Sequence, residues 1–167
     1  ARLTGSPSTR SSLLSTDSPA YRTDLPILLD AAEEWHFLFR LPTEMKSFTT
    51  KRGHNSKKYL WDVGVANHFL NVGRPIGATS QPELLGKLLE SFVTQELIHT
   101  LGSRDRLFSW KSQNRQPKEM DFLARFPKQD VGIEVKGSPS FNQKAVSQLI
   151  EFQKYNPQSP GYVVYLG

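Results

Sequence analysis

The chain has 167 residues, of which 37% are hydrophobic and 22% are charged, a composition that excludes a wholly disordered protein. It contains no Cys, which excludes disulfides, thiolate metal sites and a Cys nucleophile and fits a cytoplasmic protein. The formal net charge of +5 suits a polyanionic partner such as nucleic acid, and no apolar run approaches the ~18 residues of a membrane span. Because the chain begins at Ala1 inside a polar stretch, we expect a part of a longer protein.

The first 75 residues predict an incomplete N-terminal unit and a linker. A helix over residues 24–38 is followed by strands over 36–41 and 58–61, with a Lys- and Arg-rich loop over 42–57 between them. A short helix over 63–70 leads into residues 72–82, whose Gly and Pro residues indicate a connector. The order helix, strand, basic loop, strand is that of a winged-helix remnant.

Residues 76–167 predict a denser α/β domain. An amphipathic helix over 82–101 has Pro82 at its start and Gly102 just beyond its end. Strands are predicted over 106–111, 118–126 and 131–136, a second amphipathic helix over 141–155 and a buried strand over 162–166. The order is therefore α-β-β-β-α-β.

Two neighbouring strands of this domain carry the residues that could perform chemistry. Side chains alternate between the faces of a strand, so Glu134 and Lys136 share one face, and Asp121 points away from Phe122. With a hairpin loop over 127–130, Asp121 lies opposite Lys136 and diagonal to Glu134. A register shift of two residues preserves this cluster, whereas a shift of one separates it.

Two acids and a Lys at this spacing suit phosphodiester cleavage. Mg²⁺ (or Mn²⁺) prefers oxygen ligands and activates a bound water, and a nearby ammonium stabilises charge on the phosphate. A third acid can come from the long helix, as Glu90 or Glu96. The competing interpretation is an ordinary cross-strand salt bridge.

The order of elements and motifs resembles the restriction-endonuclease-like PD-(D/E)XK nuclease superfamily. In particular, the chain is similar to a C-terminal domain of unknown function that follows AAA+ ATPase modules in bacteria and archaea. The resemblance rests on KYLWDVGVANHFL (58–70), GKLLESFVTQEL (86–97), LFSWKS (107–112), EMDFL (119–123) and GIEVK (132–136). Met120 stands where the superfamily name has Pro.

The resemblance implies a site and partners. Asp121, Glu134 and Glu90 correspond to metal-binding acids, Val135 to a residue whose carbonyl completes the metal shell, and Lys136 to the catalytic Lys; Glu96 is the alternative to Glu90. A basic wing could bind the DNA backbone through Lys46, Lys51, Arg52, Lys57 and Lys58, and a second basic set consists of Arg104, Arg106, Lys111, Arg115 and Lys118.

These features support two classes of function. The first is a Mg²⁺-dependent DNA nuclease attached to an ATPase module. The second is a non-catalytic DNA-binding, regulatory or oligomerisation domain of the same ATPase protein, which would retain the fold and the salt bridge.

Overall fold

The computed structural model describes residues 19–44, 56–69, 82–141 and 143–166. The N-terminal elements are α1 (Pro19–Glu34), β1 (Leu38–Leu41), β2 (Thr43–Glu44), β3 (Lys57–Leu60) and α2 (Val63–Phe69). They are followed by α3 (Pro82–Leu101), β4 (Leu107–Lys111), β5 (Glu119–Arg125), β6 (Asp130–Lys136), α4 (Gln143–Tyr155) and β7 (Gly161–Tyr165). A 3-10 turn, Arg104–Arg106, connects α3 to β4.

A mixed five-stranded sheet flanked by helices forms the centre of the protein. Its strand order is β2-β4-β5-β6-β7, in which β4, β5 and β6 are antiparallel neighbours and the pairs β2–β4 and β6–β7 are parallel. The mixed α/β class and the order of elements after residue 82 are as predicted. Pro82 begins α3, and Gly102, with a φ of 68°, follows its last residue as expected. No helix in the described ranges is long and apolar enough to cross a membrane.

Each face of the sheet has its own apolar core. On one face, buried side chains of β5 and β6 pack with partly buried residues of α3, such as Leu89 and Val93. On the other, Trp110, Met120 and Leu123 pack with Leu149 and Phe152 of α4. The two amphipathic helices predicted from the sequence therefore cover opposite faces of the sheet.

The N-terminal elements share the core on the α3 side. Strands β1 and β3 form an antiparallel pair, and Phe39, Leu41 and Tyr59 are buried in the same cluster as Phe122 and Ile133. Strand β2 then pairs with β4 and so extends the main sheet. The domain boundary predicted near residue 75 lies outside the described residues and stays a prediction.

The register between β5 and β6 differs by two residues from the predicted one. Ala124, not Phe126, lies opposite Val131, and the amide of Phe126 donates to the carbonyl of Gln129 across a turn that contains Pro127. Pro is well suited to the second position of a turn because its φ is fixed. With Pro127 at that position, the turn covers residues 126–129 rather than the predicted 127–130. A shift of two residues keeps every side chain on its face.

A β-bulge in β5 changes the predicted alternation. The pairing of β4 with β5 shifts midway, so that Asp121 and Phe122 both lie opposite Ser109. Both residues contact the same strand: the ring centroid of Phe122 lies 5.9 Å from that of Tyr59, and Asp121 binds Lys57. The prediction that Asp121 points away from Phe122 is therefore wrong, because the extra residue of the bulge breaks the period of two.

Candidate functional site

The site lies where β5 and β6 cease to pair through their backbones. Their last paired residues at this end are Phe122 and Ile133, and beyond them the acids supply the hydrogen bonds. The Asp121 amide donates to Glu134 Oε2 at 3.3 Å, and the Val135 amide donates to Asp121 Oδ2 at 2.9 Å. The carboxylates of Asp121 and Glu134 are therefore held by the backbone and buried side by side.

Two Lys residues occupy the remaining oxygens of these acids. Lys136 Nζ lies 2.5 Å from Glu134 Oε1, and Lys57 Nζ lies 2.6 Å from Asp121 Oδ1. The side chains of Lys57 and Asp121 are only 14% and 12% exposed, whereas that of Lys136 is 35% exposed. Asp121, Glu134 and Lys136 are thus brought together as the sequence predicted, and Lys57 joins them.

Helix α3 brings the third acid to the site. Glu90 Oε2 accepts a hydrogen bond of 3.4 Å from the Tyr59 hydroxyl, and the charge of Glu90 acts on both Lys57 and Tyr59. Glu96, the alternative candidate, is exposed further along the helix. The structure therefore favours Glu90 over Glu96 as the helix acid of the site.

A glycine contact determines how closely α3 approaches the sheet. A Cβ on Gly137, directly after β6, would lie 2.5 Å from the Cα of Gly86 in α3. Gly86 itself has more room, because its nearest neighbour for a Cβ is the Gly137 amide nitrogen at 4.0 Å. This approach places Glu90, one helical turn after Gly86, near Lys136 at the end of β6.

Burial and neighbouring charges shift the pKa values of this cluster. Burial raises the pKa of Glu90 to about 7, and the charge of Asp121 acts in the same direction. Burial and Asp121 also raise the pKa of Glu134, against the opposing effect of Lys136. Burial alone would lower the pKa of Lys57, but Asp121, Glu90 and Glu134 outweigh it, so that this pKa is raised and Lys57 stays charged.

The donor chemistry of the site fits a hard divalent cation. Asp121 and Glu134 offer oxygen ligands, and Mg²⁺ often binds through one or two carboxylates and completes its shell with water. No group of three or more His, Asp or Glu side chains in the described part of the chain is arranged to hold a metal ion. A cation would therefore rest on the Asp121–Glu134 pair; ligation by Glu90 and by the Val135 carbonyl stays a prediction.

Among the described residues, those predicted to bind nucleic acid are spread over both ends of β4 and over β3. Lys111 pairs with Glu119, and Lys118 Nζ donates to the Ser147 carbonyl of α4 at 3.4 Å, while Arg115 is exposed between them. Arg104 and Arg106 lie at the opposite end of β4. Lys46, Lys51 and Arg52 lie outside the described residues, and Lys58 is exposed on β3.

Sequence reasoning missed Lys57 and Tyr59 as parts of the site. Lys57 was assigned to the basic loop, whereas it is the first residue of β3 and binds Asp121. The signal was available in the alternation of the strand: Lys57 shares a face with Tyr59, which is 5% exposed. A Lys two residues from a buried aromatic residue on one strand face is a candidate for a buried ion pair.

Comparison with known proteins finds one family model that is similar to part of the chain. Residues 85–167 match the model of a family described as a domain of unknown function, DUF4143. No curated protein and no solved structure matches the chain. The matched segment contains Glu90, Asp121, Glu134 and Lys136, whereas Lys57 and Tyr59 precede it.

Proposed function

We propose that this protein contains a metal-dependent nuclease-like domain that cleaves DNA. The observation that carries the proposal is the interlocked pair of Asp121 and Glu134, with a partly exposed Lys136 bound to Glu134. Two carboxylates can hold a divalent metal ion and a nearby ammonium can stabilise charge on a phosphate, a combination that suits metal-assisted phosphodiester hydrolysis. The order of elements from α3 to β7 supports a restriction-endonuclease-like topology.

Each residue has a distinct role in this proposal. Asp121 and Glu134 would hold Mg²⁺, which when bound polarises the phosphoryl group and lowers the pKa of a bound water. The Lys136 ammonium would orient the attacking water or stabilise negative charge on the phosphate oxygens. The Glu134 side chain is only 3% exposed and binds the Lys136 ammonium. This ion pair would keep the ammonium next to the metal ligands.

The proposal also extends to the N-terminal unit. In the sequence, Lys51 and Arg52 lie between the antiparallel strands β1 and β3, which follow helix α1. This order is that of a winged helix, whose wing would bind the DNA backbone. An AAA+ ATPase module in the same protein is part of the proposal on the basis of the sequence resemblance. We expect a K51A/R52A double variant to lose DNA affinity and the salt dependence of binding to decrease.

The test is cleavage of supercoiled, linear and single-stranded DNA with Mg²⁺ or Mn²⁺. We expect Asp121→Asn and Lys136→Ala to reduce cleavage by on the order of 100-fold or more. Asp105→Asn is the matched control, because it makes the same chemical change at an exposed Asp of the 3-10 turn. Calorimetric titration with Mn²⁺ should show binding to the wild-type and Lys136→Ala proteins and none to Asp121→Asn.

A second candidate function follows from the hydrogen bonds of the acids. All four oxygens of Asp121 and Glu134 have an ammonium or an amide as partner, which is also the pattern of a closed structural network. This observation favours a non-catalytic DNA-binding, regulatory or oligomerisation domain. DNA binding without cleavage and without Mn²⁺ binding would support it and contradict the nuclease.

A further inference from the structure

Among the charged side chains of the site described above, Lys57 alone comes from the N-terminal unit; Glu90, Asp121, Glu134 and Lys136 all follow residue 82. Its ammonium lies 2.6 Å from Asp121 Oδ1, and the side chains of both partners are largely buried. Glu90 and Glu134 attract it as well. Together with Lys136, it thus stands among three carboxylates that come from α3, β5 and β6.

The fold holds Lys57 in this position. Two residues further along β3, the Tyr59 ring stacks on Phe39 at 5.6 Å and contacts Phe122 at 5.9 Å. The partner strand β1 is followed directly by β2, which pairs with β4 at the edge of the main sheet. Lys57 therefore begins a strand that pairs with β1 and is anchored to the core through Tyr59.

The position of the ammonium matters for any cation at this site. Asp121 Oδ2 already accepts the Val135 amide, so Oδ1 is the oxygen that the backbone leaves to a cation. An ammonium in contact with Oδ1 and a divalent ion on the same oxygen would repel each other at short range in a poorly solvated site. The two cations are therefore alternatives.

We propose that Lys57 is a further residue of the site, a built-in counter-ion whose ammonium occupies the cation position at Asp121 and must leave it when a divalent ion binds. The proposal rests on the proposed metal-dependent function. Without metal, Lys57 neutralises the buried acids and stabilises the fold. With metal, its ammonium is displaced from Asp121, so Lys57 determines how tightly the ion binds.

The first test compares Mn²⁺ affinity by calorimetry in the wild-type, Lys57→Gln and Lys58→Gln proteins. Lys58 is the matched control, because it is the exposed neighbour of Lys57 on the other face of β3. We expect Lys57→Gln to bind Mn²⁺ about tenfold more tightly than wild type, which is about 1.4 kcal/mol. We expect Lys58→Gln to bind as wild type does.

A second measurement on the wild-type protein needs no variant. An amine-reactive reagent followed by mass spectrometry reports the labelling rate of each Lys. Lys57 should be protected in metal-free protein and become labelled several-fold faster in Mn²⁺, while the rate at Lys58 stays constant. This measurement decides the question if Lys57→Gln does not fold.

The outcomes separate this inference from the proposed function. If Mn²⁺ binds wild type and Lys57→Gln equally, or binds without increasing the labelling of Lys57, the role of Lys57 is overturned and the metal site stands. If Mn²⁺ binds none of the proteins at millimolar concentration, both proposals are overturned.

Discussion

Asp121 and Glu134 are held by each other's strands: the Asp121 amide donates to Glu134, and the amide that follows Glu134 donates to Asp121. The carboxylates therefore replace the backbone hydrogen bonds at the point where β5 and β6 separate. This arrangement satisfies buried amides and orients two acids at the same time. A site built in this way is as rigid as the sheet that carries it.

The close contact of Gly137 with α3 predicts different effects for two matched Ala substitutions. Gly137→Ala would place a Cβ 2.5 Å from the Gly86 backbone, so α3 must move away, and we expect the free energy of unfolding to fall by about 1–3 kcal/mol. Gly86→Ala meets only an ordinary contact at 4.0 Å, and it should be neutral or stabilising by up to ~1 kcal/mol. Urea denaturation of both variants measures the difference. Equal losses would show that this contact does not position the helix.

The raised pKa of Glu90 predicts how stability depends on pH in metal-free buffer. Because burial raises this pKa to about 7, the folded protein binds the proton more tightly than the unfolded chain does. The contribution of Glu90 is therefore most favourable below its ordinary carboxyl pKa and is lost as the pH rises towards and through about 7. As the pH rises from 5 to 8, we expect the free energy of unfolding of Glu90→Gln, relative to that of wild type, to increase by about 1–3 kcal/mol.

Glu96→Gln is the control for this measurement, since it changes an exposed Glu of the same helix. Urea denaturation at several pH values should give a stability difference from wild type that is constant with pH for Glu96→Gln. A constant difference for Glu90→Gln as well would contradict the burial of its charge.

The position of Tyr59 in the core predicts the effects of two further substitutions. Tyr59→Phe keeps the ring that packs on Phe39 and Phe122 and removes only the long hydrogen bond to Glu90, so we expect a change in unfolding free energy within about 1 kcal/mol. Tyr59→Ala should cost about 3–5 kcal/mol, as for other large-to-small core substitutions. Tyr162→Ala, at a side chain that is 56% exposed, is the control for the loss of a ring. A small effect of Tyr59→Ala would mean that the N-terminal unit does not share the core.

The sequence predicted much of the domain that follows residue 82, because each of its elements has a strong local pattern. Pro82 begins α3 and Gly102 follows its end, and part of each predicted apolar face is buried, whereas Phe92 and Phe141 are exposed. The sequence grouped Asp121, Glu134 and Lys136 at one end of the β5–β6 pair, although the register differs by two residues and the bulge changes the face of Asp121. Glu90 was assigned through the family resemblance, with Glu96 as the alternative, and the structure places Glu90 nearer the other acids.

The remaining features depend on contacts between distant parts of the chain. The bulge at Asp121 and Phe122 has no Gly or Pro to mark it, and only the pairing with β4 reveals it. The role of Lys57 depends on how β3 lies against β5, which no local pattern encodes. Both determine the direction of the Asp121 side chain, so local rules grouped Asp121, Glu134 and Lys136 but gave neither Lys57 nor the arrangement of the site.

The pairing of β2 with β4 has a consequence for proteins shortened to the segment that matches the family model. A chain that begins at residue 85 would lack β2, so β4 would become an edge strand with unpaired backbone groups. It would also leave bare the apolar surface that Phe39, Leu41 and Tyr59 cover. Such a shortened protein would be prone to edge-to-edge aggregation, and its acids would face solvent without Lys57.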